Sequence, residues 1–131
     1  MDLTSILREF LHGYCDLIPE IPPQMRDDLL LEFQVQYMDK KPKVFGQQLG
    51  LAITVTVWPL VSLSHIIEVM LHEFTHLVIR EVLQTEEEDF HGQLFWDVFT
   101  ALSREAYPIV GDITLSDYHQ LTYALQKAGI P

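Results

Sequence analysis

His72-Glu73-Phe74-Thr75-His76 is the stretch on which the reading of this chain turns, and His91-Gly92-Gln93-Leu94-Phe95-Trp96 follows it fifteen residues later. In a helix, positions i and i+4 share one face about one turn apart, so the imidazoles of His72 and His76 point at one spot, as ligands of a divalent metal must. Glu73 is rotated about 100° from His72, at about 3.6 residues per turn. That is too far round for an equally direct ligand, yet close enough to take a proton from water at the metal, the position of a general base.

The residues on either side predict that this helix is interior. Pro59 ends the preceding strand, Ser62 or Ser64 can cap the helix, and from Ile66 to Leu83 apolar side chains fall nearly all round it. A helix of that kind lies in a core, where two His and a Glu are costly to desolvate without a compensating partner. A metal ion is such a partner.

Upstream, Leu3, Ile6, Leu7, Phe10, Leu11 and Tyr14 make an apolar stripe that predicts a helix over roughly 3–14, with Asp2 as its cap. Pro19, Pro22 and Pro23 then read as a connector. From Leu31 the period becomes two: Leu31, Phe33, Val35 and Tyr37 alternate with polar residues, and Leu51, Ile53, Val55 and Val57 repeat the pattern after Gly50. With the short segment Val44–Gln48 between them, these predict a three-stranded antiparallel sheet, and Lys40-Lys41-Pro42-Lys43 reads as a hairpin tip.

Downstream, Thr85 with Glu88 has capping spacing, so the next helix begins there or near His91. Its core face is Leu94, Phe95, Val98, Phe99 and Leu102, Trp96 reads as core, and Pro108 and Gly111 stop it. Thr114 and Asp117 open a last helix ending at Gly129. The expected class is α+β: a small antiparallel three-stranded sheet packed on a buried metal-binding helix, with flanking helices, in one domain spanning 1–131.

Composition narrows the function classes. The net charge of −11 is uneven, with −7 carried by residues 81–131, and the single basic cluster at Lys40–Lys43 is too short for a nucleic-acid footprint. Intrinsic nucleic-acid binding is therefore not expected. The apolar run Leu51–Ile67 is interrupted too often for a membrane span, and Met1-Asp2-Leu3-Thr4 leads into an amphipathic pattern rather than a signal sequence, so the expectation is a soluble, cytoplasmic protein. Cys15 is the only cysteine, which leaves any metal to His and carboxylate ligands.

Zinc suits those ligands, since it accepts imidazole nitrogen, is content with three protein ligands, and keeps a fourth place for water in catalytic sites. His72 and His76 supply two. By spacing alone the third could be His91, Glu86, Glu87, Glu88, Asp89 or His119. Glu68 and Asp97 could orient ligand imidazoles, or simply be solvated.

His72-Glu73-Phe74-Thr75-His76 followed by His91-Gly92-Gln93-Leu94-Phe95-Trp96 resembles the SprT-like zinc metallopeptidases, in which HExxH is followed by a third His in an H-G-x-x-F type segment. The strands ahead of it, with Phe45-Gly46-Gln47 and Leu51–Val57, are similar to what that family places there, and the likeness covers roughly residues 31–105. It implies a minimal zincin-like domain in which His72, His76 and His91 hold Zn2+, Glu73 is the general base, and the substrate is a peptide or protein. Members that act on DNA-bound proteins usually bring a basic surface or a cysteine zinc ribbon, and this chain has neither. Two other functions fit the same residues: a zinc-stabilised binding module without catalysis, and a metal hydrolase acting on bonds other than peptides. An extended substrate is expected to pair with a sheet edge near residues 51–57.

Overall fold

Asp2 opens the first helix as the sequence predicts: its carboxylate accepts the Ser5 N–H at 2.8 Å, and α1 runs Leu3–Asp16 with Leu7, Leu11, Tyr14 and Cys15 wholly buried. The computed structural model describes residues 2–85 and 92–111, with α2 at Pro23–Glu32, β1 at Gln34–Tyr37, β2 at Gly46–Leu49, β3 at Ala52–Val57, α3 at Leu63–Leu77 and α4 at Gln93–Gly111. His91 and the predicted last helix, Thr114 to Gly129, lie outside the described residues. The class is α+β, with four α-helices and a small mixed sheet among the described residues.

Part of the region read as connector and strand is helical. Pro23 stands at the first position of α2, where its missing N–H costs nothing and its fixed φ suits the helix. The Arg26 guanidinium bonds Asp16 at 2.6 Å, tying α2 to the end of α1. Only Leu29 of α2 is fully buried, so the helix has almost no apolar stripe to announce it. Leu31, predicted to face the core of a strand, closes α2 and is 80% exposed, and the strand begins only at Gln34.

The sheet is mixed rather than antiparallel. Its order is β1-β3-β2: β1 pairs parallel with β3 in the register Val35↔Val55, and β2 pairs antiparallel with β3 in the register Gln47↔Thr54. The link through Met38–Phe45 is long enough to carry the chain past the end of β3 to the far edge, so Lys40–Lys43 is no hairpin tip. The tight turn is at Gly50, whose φ of +60° favours glycine, and it returns β3 between the other two. β3 is thus central, and among the described residues the free edges belong to β1 and β2 instead of residues 51–57.

Helix α3 is capped by Ser62, whose hydroxyl accepts the His65 N–H at 3.2 Å. It lies against the sheet on one side and α1 and α4 on the other, with Ile66, Met70, Phe74 and Leu77 at 1% exposure or less. Each such side chain contributes about 1.5–3 kcal/mol when fully buried, so packing and not helix propensity holds α3 in place. The helix continues as a π-helical turn, Val78–Val82. α4 passes through Pro108 and ends at Gly111; Phe95 and Leu102 are buried as predicted, whereas Leu94 and Trp96 are 41% and 49% exposed because the helix turns that side outward. No helix among the described residues is long and apolar enough to cross a membrane.

Candidate metal centre

Because His72 and His76 are one turn apart on a regular part of α3, their rings fall side by side, with centroids 5.0 Å apart and planes at 70°. Two imidazoles sharing one ion at about 2.0–2.1 Å, with a roughly tetrahedral angle, have ring centres about 5 Å apart. The spacing of the two rings is compatible with a common ion. His76 is 2% exposed and His72 is half-buried, which shields one face of such a site from solvent.

Phe95 from α4 sets the back of the pair. Its ring lies 4.8 Å from the His72 ring and 4.6 Å from that of His76, and Phe99 stacks behind it at 5.7 Å. The aromatic contact limits how either imidazole can turn. The sequence marked Phe95 as core, but nothing in its spacing said that it touches both candidate ligands.

On the other side of α3 a cleft of about 960 Å³ opens between the helix and β2. His72, Glu73 and His76 lie on the helix wall, together with His65 two turns earlier and Arg80 one turn later; Gly46, Gln47 and Gln48 form the strand wall. Glu73 is half-buried, and burial pushes its carboxyl pKa up to about 7 while the Arg80 guanidinium opposes the shift. Arg80 in the π-helical turn donates to the Gln48 amide oxygen at 2.7 Å, and the Gln48 amide nitrogen donates to the Gly50 carbonyl at 2.7 Å. The first bond fastens the π-helical end of α3 to the edge strand, and the second holds the Gln48 side chain in place to receive it.

Thr56 N–H donates to the Phe45 carbonyl at 2.8 Å. Bonded pairs alternate along an antiparallel ladder, so Phe45, Gln47 and Leu49 bond toward β3 and the backbone groups of Gly46 and Gln48 point away from it. The strand beside the candidate metal site is therefore an edge strand whose outer side, among the described residues, can take another strand.

The remaining sequence candidates divide. Glu68 is exposed at the cleft rim, and Asp97 is exposed and accepts from Gln93 at 2.7 Å, which gives it a bond within its own helix. His12 is exposed beside Asp16. His65 packs edge-on against Phe45 and Trp58 at 5.0 and 5.5 Å. Burial raises the Cys15 thiol to about 11, which leaves it protonated and inert at neutral pH. Among the described residues no set of three or more His, Cys, Asp or Glu side chains converges on a metal position. His91, Glu86, Glu87, Glu88, Asp89 and His119, the candidates for third ligand, lie outside the described residues.

Sequence reasoning missed Gly46, Gln48 and Arg80. Their roles come from where β2 sits, and the periodicity of that short segment says nothing of a place beside α3. Comparison of the chain with family models, with curated proteins and with solved structures finds no match.

Proposed function

We propose that this chain is a zinc-dependent metallopeptidase with a zincin-like, SprT-like arrangement, in which His72, His76 and His91 hold Zn2+ and Glu73 is the general base. One observation carries the reading: two imidazoles with centres 5.0 Å apart sit beside a half-buried carboxylate in a cleft walled by a sheet edge. Bound zinc would supply Lewis acidity, lowering the pKa of a water to about 7 and polarising the scissile carbonyl.

The protein's own residues do the rest. Glu73 takes the proton from the attacking water and hands it to the leaving amine, a transfer favoured when the carboxyl pKa lies near the working pH. An extended peptide pairs with the outward backbone groups of Gly46 and Gln48, which lays its scissile bond along the cleft. Phe95 keeps both imidazoles oriented and excludes water behind them. The acidic charge distribution supports the absence of direct nucleic-acid contact, and a cytoplasmic setting belongs to the same proposal.

The test is digestion of unfolded casein or a peptide library. Cleavage should appear with the purified protein, vanish with a zinc chelator, and return when zinc is restored. Cleavage that ignores chelator would sink the metallopeptidase reading. Its complete absence, with zinc bound, would favour the binding module.

A further inference from the structure

Gly46 has no conformational need to be glycine, because Gly50 is the only glycine among the described residues with a positive φ. What it supplies is space. A Cβ built there would meet the Val69 Cγ1 at 2.7 Å, the Glu73 Cγ at 3.0 Å and the Thr54 carbonyl oxygen at 3.2 Å. The first two belong to α3, and the third belongs to the strand on the opposite side.

β2 has little freedom to back away from such a contact. On one side the ladder ties it to β3 through the Phe45 carbonyl, bonded by the Thr56 N–H, and the Gln47↔Thr54 pair, which flank Gly46. Two residues on, Gln48 is held between the Arg80 guanidinium and the Gly50 carbonyl. The helix is equally constrained, since Met70 and Phe74 on its far side are wholly buried. An added methyl group would have to be absorbed by the two side chains in its path, those of Val69 and Glu73.

We infer that Gly46 is a positioning residue for Glu73: its bare backbone is the surface against which the Glu73 side chain rests, and it fixes where the carboxylate stands relative to His72 and to a substrate on β2. The inference rests on the peptidase reading above and adds to it a residue that touches neither metal nor the reacting atoms. A misplacement of about 1 Å in a reacting group can cost about 100-fold in rate. A displacement of a few tenths of an ångström is what the 3.0 Å contact demands, so a smaller loss is expected.

Gly46→Ala tests it, alongside Gly46→Ala/Val69→Ala, which removes the tighter clash and keeps the variant foldable. Four quantities are read for each: kcat, KM, bound zinc, and the position of Glu73 in a zinc-free crystal structure. The expected result is a kcat about tenfold lower in both variants, KM within about threefold of wild type, undiminished zinc, and a Glu73 Cγ moved by a few tenths of an ångström. Full recovery of kcat in the double variant would overturn the inference, since the spacing of strand and helix through Val69 would then be the whole effect. So would a Glu73 that stays in place, or a Gly46→Ala protein as fast as wild type. The peptidase reading fails separately, if wild type does not cleave or if Glu73→Gln cleaves as well as wild type.

Discussion

Glu73→Gln should lower peptide cleavage by at least about 100-fold while leaving bound zinc and Tm close to wild type. The size follows from the role: a positioned general base contributes about 100- to 10,000-fold, and the amide keeps the shape of the side chain while removing its ability to take a proton. The stability half has its own cause. Burial raises the Glu73 carboxyl from 4.5 to about 7, so in the metal-free protein the fold holds its proton more tightly than the unfolded chain does. Ionisation then opposes folding as pH rises through that interval, and a neutral amide escapes the penalty. At about pH 8, above that interval, the metal-free variant should melt no lower than the metal-free wild type. A variant that cleaves normally would remove Glu73 from the mechanism, and one that loses zinc would make it a ligand or a structural support.

His76→Ala should have the second large effect, on metal and stability together. The imidazole is 2% exposed and packed 4.6 Å from the Phe95 ring, so its removal opens a cavity whether or not zinc is present. Chelator separates the two contributions. Wild type should lose Tm when zinc is stripped, because a metal that binds only the folded state stabilises it. His76→Ala should start lower and lose nothing further, with bound zinc below about a tenth of the wild-type amount. Equal losses of Tm on chelation in both proteins would show that His76 is a core residue and no ligand.

How far these features can be read from the chain depends on how local they are. The His72–His76 helix is legible because both of its signals lie within its own residues: the four-residue spacing sets one face, and the apolar surroundings set burial. α1 is legible for the same reason, down to Asp2 as cap. α2 is not, since Pro23 at its start looks like a breaker and Leu29-Leu30-Leu31 matches a strand onset as well as a helix end. The strands are recognisable as strands, but strand order is decided by partners distant in sequence, and nothing in the pattern of β3 says that it has neighbours on both sides.

The same distinction runs through the site. His72, Glu73 and His76 stand out by their spacing alone, while the wall opposite them has no such local signal. Gly46 reads only as part of a short strand segment until β2 is laid against α3, and nothing in the spacing around Arg80 points to Gln48, which lies 2.7 Å away. Trp96, by contrast, reads as core on its residue type, and the side of α4 it occupies leaves it half exposed.

Elemental analysis of the purified protein, beside His91→Ala and His119→Ala, tests the metal centre most directly. The account predicts about one zinc per chain in wild type and in His119→Ala, and a sharp loss in His91→Ala. A wild-type protein that is folded, free of metal, and unchanged in Tm when zinc is added would contradict it.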